Sequence, residues 1–249
     1  MYYFKNKTAI ITGSTSGIGK GVAEALHAQG ACVMLSGRDT EKGKSICDQL
    51  GSNARFLAGD VKRPGYNKRL VEEAIQSFGS LDMVVMSAGQ LGIGKIDQLS
   101  LEDWHDTIAT NLNAVFYLFK YAIPHLRKAK GSVVIMGSVA ALHAFPGHPA
   151  YTASKGALPA LVRQMALDYS PDIRINLVSP AQVVTPLLTD SIRAFENPED
   201  ILDETSRKLP MKRLGTVDDI AHTVLHLLSE NAGWITGSNF VVDGGFLAT

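Results

Sequence analysis

Short runs of mostly apolar residues, separated by longer segments with helical spacing, constrain the fold of this chain more than any other feature. The runs do not alternate between apolar and polar residues, as the first of them, TAIIT at Thr8–Thr12, illustrates. Strands of that kind are buried on both faces, and strands that alternate with helices form right-handed βαβ units of a parallel sheet. The sequence therefore predicts an α/β protein with a doubly wound parallel sheet and helices on both faces. The predicted strands are residues 8–12, 31–35, 55–58, 83–86, 132–136, 174–178 and 239–242.

The segments between the strands have helical spacing, and one region stands apart from them. The predicted helices are residues 17–29, 40–50, 66–78, 101–128 and 151–169. A length of 249 residues fits one large α/β domain, so we expect residues 1–249 to form a single domain. Residues 186–214 carry Pro198, Pro210, many charges and two short helical patterns. Because long excursions in compact domains are usually functional, and ligands of such sheets bind beyond the carboxyl ends of the strands, we expect this insertion to cover that edge as a lid.

The composition excludes several classes of partner. Lys plus Arg and Asp plus Glu each total 24, and the sequence has no basic stripe of the kind that binds nucleic acid. No segment approaches the ~20 apolar residues that cross a bilayer, and the first residues lack the apolar stretch and cleavage site of a signal peptide. Cys32 and Cys47 have neither zinc-binding spacing nor the density of a disulfide framework. We therefore expect a cytoplasmic protein that acts on a small molecule, with no metal, nucleic acid or membrane as its partner.

A glycine-rich segment joins the first predicted strand to the first predicted helix. It reads TGSTSGIG and has the spacing GxxxGxG. Gly13 permits a tight turn, Gly17 lets the backbone approach a pyrophosphate, and Gly19 lets the helix pack closely on the sheet. The helix N-terminus then offers free N–H groups and a positive dipole end to phosphates. This context predicts a dinucleotide-binding loop made of Gly13, Ser14, Thr15, Ser16, Gly17, Ile18 and Gly19.

The end of the second predicted strand bears on the choice of nucleotide. An NAD-selective site places an acid there to bind the ribose 2′-hydroxyl, but the position is Gly37 and Arg38 follows it. A guanidinium suits a 2′-phosphate and can stack on adenine, so we expect NADP, with NAD as the alternative. Asp39 can either turn toward the ribose or cap the next helix. Asp60 and Val61, just past the third strand, are expected to contact the adenine.

A tyrosine and a lysine carry the predicted proton chemistry. Tyr151 and Lys155 lie at i and i+4, on one face of a predicted helix. A free tyrosine has a pKa of about 10, a nearby ammonium favours the phenolate, and such a pair can exchange a proton with an alcohol or a carbonyl. Ser138 follows a predicted strand and can hold the substrate oxygen in line. Together with the phosphate loop, these residues predict reversible hydride transfer between NADP(H) and a ketone or secondary alcohol.

These motifs resemble the short-chain dehydrogenase/reductase family along essentially the whole chain. The matching positions are the TGxxxGIG loop, Asp60-Val61, Ala88-Gly89, Asn111, Ser138, YxxxK at Tyr151 to Lys155, Arg174-Ile175-Asn176, Ser179-Pro180 and Val242-Asp243-Gly244-Gly245. The resemblance implies a Rossmann-like fold with Tyr151 as the general acid/base. It implies that Lys155 binds the nicotinamide ribose and lowers the pKa of Tyr151, that Ser138 orients the substrate carbonyl, and that Asn111 holds a water in a proton relay behind Lys155.

The resemblance also implies further cofactor contacts and an oligomeric assembly. The additional cofactor-binding positions are Ser87, Ala88, Gly89, Pro180, Val183 (through its backbone) and Thr185. Members of the family usually form dimers or tetramers through their long helices and C-terminal segment, so we expect a homo-oligomer, with a homotetramer as one form. The apolar segment 245–249 is compatible with burial at such a contact.

Three features of the sequence depart from the family pattern. The usual NNAG reads Met86-Ser87-Ala88-Gly89, so both asparagines are absent, and the usual Pro-Gly reads Pro180-Ala181. Pro159 lies inside the helix that follows Tyr151, removes the N–H bond to the Lys155 carbonyl, and is expected to kink the helix. We hypothesise that the kink adjusts the catalytic helix or a subunit contact, with a tolerated kink as the alternative.

The substrate is less defined by the sequence than the reaction. Residues 139–150 are expected to line the pocket, with His143 and His148 among them, and Gln182 and Leu187 are further candidates. An NAD-dependent sugar or cyclic-alcohol dehydrogenase and a 3-oxoacyl-thioester reductase remain alternatives, since basic residues of the lid suit a carrier thioester but an acidic run, 196–204, offsets them. Epimerisation with retained cofactor, and a non-catalytic protein that senses the cofactor, are alternatives of other classes.

Overall fold

A computed structural model of the chain describes residues 4–192 and 197–248, except for the side chains of Pro198 and Glu199. The described strands form one seven-stranded sheet in the order β3-β2-β1-β4-β5-β6-β7, and every neighbouring pair is parallel. The predicted fold class is therefore confirmed. The strands are β1 (Thr8–Thr12), β2 (Cys32–Gly37), β3 (Ala54–Ala58), β4 (Met83–Met86), β5 (Ser132–Met136), β6 (Arg174–Pro180) and β7 (Asn239–Val242).

Helices connect the strands and cover both faces of the sheet. They are α1 (Gly17–Ala28), α2 (Thr40–Leu50), α3 (Pro64–Phe78), α4 (Leu101–Ile108), α5 (Ala114–Ala129), α6 (Pro149–Tyr169), α7 (Pro186–Ile192), α8 (Pro198–Lys208) and α9 (Val217–Leu228). Residues 193–196, which belong to the predicted lid and to its acidic run, lie outside the described residues.

The uniformly apolar strands explain the layered core. All five residues of β1 and all five of β5 are buried. Alternate side chains of each strand point to opposite faces, so Ile10 and Val133 join the cluster beneath α3, α5 and α6, whereas Ile11 and Val134 join the cluster beneath α1, α2 and α9. Burial of apolar side chains on both faces is what a continuous apolar strand requires.

The predicted long helix 101–128 is divided by a π-helical turn. Helix α4 ends at Ile108, the turn covers Ala109–Asn113, and α5 begins at Ala114. Such turns insert one extra residue into the helical pattern and occur mostly at functional sites. Hydrophobic spacing did not reveal the turn, because the segment stays helical on both sides of it.

Helix α9 has no counterpart among the predicted helices. Its N-terminus is a capping box, in which the Thr216 hydroxyl accepts from the Asp219 N–H and the Asp219 carboxylate accepts from the Thr216 N–H. The helix packs on α1, where a side chain at Gly21 would collide with Val217. The capping signature, followed by apolar residues at helical spacing, was the signal that could have identified this helix.

The strand order reverses direction between β1 and β4, and this places the site. Chain connections run to opposite sides from these two neighbouring strands, so a crevice opens beyond their carboxyl ends. Every described helix is too short or too polar to span a membrane.

Candidate active site

A cavity of about 770 Å³ lies at the carboxyl ends of the strands. One end is formed by the loop after β1 and by Arg38 and Asp60, and the other by the segment before α6 and by residues of α7 and α8. Tyr151 and Lys155 lie in its wall. The volume is within the usual range of cofactor and substrate sites, and the cavity brings together the two halves of the chemistry predicted from the sequence.

The loop after β1 has the backbone that the glycine spacing predicts. Gly13 has φ 64°, and a Cβ there would lie 2.8 Å from the Cα of Ala88, so only glycine allows the loops after β1 and β4 to approach this closely. A Cβ on Gly19 would collide with the carbonyl of Gly13. Ser16 precedes α1 without a side-chain cap hydrogen bond. The N-terminus of α1 therefore keeps the donor-rich character that suits a pyrophosphate.

Ser14 departs from its predicted place in the cofactor site. Its side chain is fully buried, accepts a 2.9 Å hydrogen bond from the Ser36 N–H, and donates to the Ser36 carbonyl. The other six residues of the predicted loop line the cavity, but Ser14 does not. Its side chain fastens the loop to β2 because the loop turns back over that strand.

The end of β2 separates the roles of Arg38 and Asp39. Arg38 is exposed and lines the cavity. The Asp39 carboxylate caps α2, accepting from the Lys42 N–H at 3.0 Å, and pairs with the Lys42 ammonium at 2.9 Å. These hydrogen bonds lower the pKa of Asp39. Of the two possibilities for Asp39, the structure has the helix cap.

Gly37 lies between the strand and the glycine-rich loop. A Cβ at this position would lie 2.6 Å from the Cγ2 of Thr15. An acidic side chain at the position typical of NAD-selective sites would therefore require Thr15 to move. The charged side chains that line this end of the cavity are Arg38 and Asp60.

Asp60 and Val61 line the cavity after β3. The Asp60 carboxylate accepts from the Lys62 N–H at 2.9 Å, which fixes the turn. Below it, a side chain at Gly59 would collide with the ring of Tyr66. The Tyr66 hydroxyl donates to the Leu57 carbonyl at 2.8 Å, so a buried tyrosine supports this wall.

Lys155 and Tyr151 lie on one face of α6, as the i, i+4 spacing predicts. The Lys155 ammonium is buried and donates a 2.7 Å hydrogen bond to the carbonyl of Met136 at the end of β5. It lies 5.7 Å from the centroid of the Tyr151 ring. Burial lowers the pKa of Lys155 to about 8, because the low-dielectric interior disfavours the charged form.

The pKa of Tyr151 differs from the sequence expectation. Burial raises it, and hydrogen bonding to the Ser138 hydroxyl acts in the opposite direction. Lys155 was expected to lower this pKa, but its ammonium bonds to Met136 and its own charged form is disfavoured by burial. In this structure the phenol is therefore held in its protonated form at neutral pH.

Ser138 is positioned by the turn after β5. Its hydroxyl oxygen accepts a 3.0 Å hydrogen bond from the Ala140 N–H, and the residue is only 8% exposed. Since this bond uses a lone pair, the O–H remains a donor for the Tyr151 oxygen or for a ligand oxygen. Ser138 and Tyr151, which are distant in the sequence, thus meet in the cavity wall.

Asn111 is buried within the π-helical turn. Its amide oxygen accepts from the Gln90 N–H at 2.9 Å, and its amide nitrogen donates to the Gln90 carbonyl and to the Ser154 hydroxyl, each at 2.9 Å. Ser154 in turn donates to the Tyr151 carbonyl at 2.8 Å. The sequence analysis missed Gln90 and Ser154, which adjoin the AG and YxxxK motifs, and this adjacency was the only signal for them.

The residues predicted to hold the nicotinamide end lie together in the cavity wall. Ser87, Ala88, Gly89, Pro180, Val183 and Thr185 all line it. The N–H groups of Ser87 and Ala88 donate to the Thr12 hydroxyl at 3.2 and 3.3 Å. The Thr12 hydroxyl of β1 thus accepts hydrogen bonds from the segment that follows β4, in which this chain lacks the two asparagines of the family motif.

The insertion 186–214 begins and ends at a fixed base. Val183 and Gly215 form a parallel bridge, and the Gly215 N–H donates to the Gln182 carbonyl at 2.9 Å. Side chains from both α7 and α8 line the cavity, among them Leu187, Ile192 and Ile201. Helices α7 and α8, in the described part of the insertion, therefore contribute to the cavity wall.

Aromatic side chains occupy the substrate end, including two that the sequence analysis did not single out. His148 lines the cavity, and its Nδ1 lies 2.7 Å from the Pro146 carbonyl. Gln182 lines it too, but its amide oxygen is buried without a hydrogen-bond partner. Phe145 and Phe246 line the cavity beside His143. Nothing in the sequence indicates that Phe246 reaches the cavity, because it lies at the opposite end of the chain from the glycine-rich loop.

No described group of three or more His, Cys, Asp or Glu side chains is arranged to hold a metal ion. A nicotinamide nucleotide does suit the described residues. The close-packed glycine loop at the N-terminus of α1 suits a pyrophosphate, and two cationic side chains, Arg38 and the buried Lys155, lie toward the two ends of the cavity.

Comparisons with known proteins agree with this arrangement. A family model described as Enoyl-(Acyl carrier protein) reductase matches residues 13–247. The cyclohexanol dehydrogenase of Acinetobacter sp. (strain SE19) is 36% identical over 249 residues, covering 98% of this chain and 96% of that protein. The NADP-dependent (R)-specific alcohol dehydrogenase of Lentilactobacillus kefiri is 32% identical over 253 residues, covering 98% of each.

A solved structure shares the whole fold. The short-chain dehydrogenase/reductase described as a glucose/ribitol dehydrogenase, from Brucella melitensis, superposes with a TM-score of 0.92 at 33% identity and covers 98% of each chain. Given the family match and these full-length similarities, the chain belongs to the short-chain dehydrogenase/reductase family and is an oxidoreductase of alcohol and ketone groups.

Proposed function

We propose that this enzyme transfers hydride between NADP(H) and a ketone or secondary alcohol, with Tyr151 as the general acid/base. The observation that carries the proposal is the meeting of Ser138, Tyr151 and Lys155 in one cavity wall, at the far end from Arg38. A bound nicotinamide nucleotide supplies or accepts the hydride. The protein's part is to bind, to orient and to move the proton.

Tyr151 and Ser138 divide the work at the substrate oxygen. The protonated phenol donates its proton to the oxygen as a ketone is reduced and recovers it when an alcohol is oxidised. The Ser138 hydroxyl, oriented by the Ala140 N–H, donates a second hydrogen bond to the same oxygen. Burial raises the pKa of Tyr151, so the phenol is the form that meets a ketone oxygen at neutral pH.

Lys155 and Asn111 support this pair. The Lys155 ammonium, fixed by the Met136 carbonyl, binds the nicotinamide ribose and restores the proton of Tyr151. Asn111 holds the backbone of Gln90 and, through Ser154, the first turn of α6. Asn111 also holds a water in a proton relay behind Lys155.

The preference for NADP rests on the end of β2. Arg38 lines the cavity, whereas Asp39 is engaged as a helix cap and an acid at position 37 would meet Thr15. The Arg38 guanidinium suits a 2′-phosphate, and the carboxylate that follows it in the chain, Asp39, is held by Lys42. The name of the Lentilactobacillus kefiri relative also specifies NADP.

The lid, the location and the assembly are further parts of the proposal. Residues 186–214 close over bound substrate, and the enzyme works in the cytoplasm as a homo-oligomer.

The basic residues of the lid offer little support for a carrier-thioester substrate: Arg213 pairs with Asp219, and Lys208, which lines the cavity, pairs with Glu204 at 2.7 Å.

A substrate panel tests the proposal. Ketones, acyl thioesters, sugars and cyclic alcohols are assayed with NADPH and NADH, or their oxidised forms, in parallel. We expect turnover of ketones or secondary alcohols with a preference for the phosphorylated nucleotide. Turnover with NAD(H) alone would refute the NADP assignment, and turnover that survives Tyr151→Phe would refute the catalytic role.

A further inference from the structure

Four rings form a continuous wall at the substrate end of the cavity. Phe145 and Phe246 are stacked, with ring centroids 5.7 Å apart and an interplanar angle of 20°. His143 meets both of them edge-on, at 5.2 and 5.1 Å. His148 lies 6.3 Å from Phe145. All four side chains line the cavity, and we call them the aromatic wall.

The aromatic wall reaches the catalytic phenol. The ring centroids of His148 and Tyr151 are 6.4 Å apart in an edge-to-face arrangement. The Nδ1 of His148 lies 2.7 Å from the Pro146 carbonyl, a hydrogen bond that fixes the ring. A substrate whose oxygen contacts Tyr151 therefore has its nearest carbon substituent beside a surface of rings.

Phe246 is brought to the wall by a C-terminal turn with its own support. The Asp243 carboxylate accepts hydrogen bonds from the N–H groups of Gly245 and Leu247, both at 2.9 Å. Gly245 has φ 86°, and a Cβ there would lie 2.7 Å from Pro210, in the segment that follows α8. The turn is thus built to hold Phe246 in place.

The facing wall of the cavity is largely aliphatic. Helices α7 and α8 present Leu187, Leu188, Ile192 and Ile201. Two charged residues of these helices, Asp190 and Lys208, also line the cavity, and Lys208 is paired with Glu204. A substrate rich in hydroxyl groups would leave many of them unpaired against such surfaces, and each unpaired group costs binding free energy.

We propose that the aromatic wall is the binding site for an apolar ring of the substrate, so that the enzyme acts on ketones and secondary alcohols whose reacting carbon belongs to, or is attached to, a hydrophobic ring. An apolar ring removes its surface from water against Phe145 and Phe246 and gains the edge-to-face and offset contacts that aromatic surfaces favour. Phe246 is the specificity-determining residue of the site. This inference rests on the proposed hydride-transfer function.

Matched ketones test the inference. Cyclohexanone and acetophenone carry a ring, acetone presents the same reacting group without one, and glucose represents a polyhydroxylated substrate in the oxidative direction. We expect the wild-type kcat/KM with NADPH to be at least about tenfold higher for the ring ketones than for acetone. We expect Phe246→Ala to lower the ring-ketone value about tenfold, mainly through KM, and to lower the acetone value by a smaller factor, so that the ring preference falls.

Two controls separate loss of the ring from damage to the turn. Leu247→Ala truncates the neighbouring residue of the same turn, which does not line the cavity, and is expected to leave all values unchanged. Phe246→Leu keeps an apolar side chain and is expected to retain part of the ring preference. Calorimetric binding of 1-phenylethanol in the presence of NADPH, a pair that cannot exchange a hydride, provides a readout that is independent of turnover, and is expected to weaken in Phe246→Ala but not in Leu247→Ala.

The outcomes of these measurements distinguish failure of the ring-binding inference from failure of the proposed hydride-transfer function. Equal efficiency for acetone and the ring ketones, a preference for glucose, or an equal loss for all substrates in Phe246→Ala would overturn the inference while leaving the hydride-transfer function intact. Failure of the wild-type enzyme with every ketone and alcohol would overturn both.

Discussion

The ammonium of Lys155 donates a 2.7 Å hydrogen bond to the main-chain carbonyl of Met136, the last residue of β5. This bond joins helix α6 to the sheet next to the turn that carries Ser138. It uses one of the three N–H donors of the ammonium. Lys155 is thus positioned by the sheet as well as by its helix.

The buried position of Lys155 predicts how stability depends on pH. Its pKa is about 8 in the folded protein and 10.5 as the ordinary value. Between these values the unfolded chain binds more protons than the folded chain, so the contribution of Lys155 to the free energy of unfolding rises with pH. We expect wild type to gain stability relative to Lys155→Met across this interval, measured by urea unfolding. A difference that stays constant or falls would contradict burial of the ammonium.

Removal of the Tyr151 hydroxyl is expected to remove catalysis without removing cofactor binding. We expect Tyr151→Phe to lower kcat about 10²–10⁴-fold, while NADPH fluorescence titrations give an unchanged affinity. Tyr117→Phe makes the same chemical change on α5, outside the cavity, and serves as the matched control. Turnover retained in the Tyr151 variant would instead point to another proton donor.

Arg38 and Asp39 are expected to differ in their effect on nucleotide choice. Arg38→Ala should lower the preference for NADPH over NADH roughly 10–100-fold, because charge-assisted hydrogen bonds to the 2′-phosphate are lost. Asp39→Ala should leave the preference unchanged and slightly destabilise the protein, since it removes the cap of α2. A rise in NADPH preference in Asp39→Ala would show that this carboxylate faces the ribose after all.

Asn111 is expected to contribute to stability as well as to activity. Asn111→Ala leaves the part-buried N–H and carbonyl of Gln90 without their partner, which costs about 1–3 kcal/mol. Asn113→Ala truncates a half-buried asparagine of the same π-helical turn and is the control. Equal unfolding free energies for the two variants would contradict a structural role specific to Asn111.

Pro159 lies within α6, which continues as a helix from Pro149 to Tyr169. Replacement by alanine restores an N–H donor toward the Lys155 carbonyl, and we expect the free energy of unfolding to rise by about 1–2 kcal/mol. Unchanged turnover and assembly would identify a tolerated proline. A fall in turnover, or a changed oligomeric state in sedimentation, would support the hypothesis that Pro159 adjusts the catalytic helix.

Predictability from the sequence differed between the elements. The bounds of β1, β4 and β5 were predicted to the residue, because a strand buried on both faces leaves a largely apolar run. The bounds of the edge strand β7 were predicted as well, although its residues are only partly buried. The π-helical turn at Asn111 was not predicted. Hydrogen bonds to Gln90 and Ser154, on separate segments, accompany that extra residue, and helical periodicity does not record them.

By itself, the sequence determined the parallel sheet, the phosphate loop and the residue types of the proton chemistry. These properties follow from local patterns, since burial sets strand composition, glycine sets backbone conformation, and helical spacing places Tyr151 above Lys155. Tertiary structure alone decided that the Ser14 side chain turns inward to β2 and that Phe246 joins Phe145 in the aromatic wall. Such contacts join residues far apart in the chain, and only the packing of the sheet and its loops determines which of them meet.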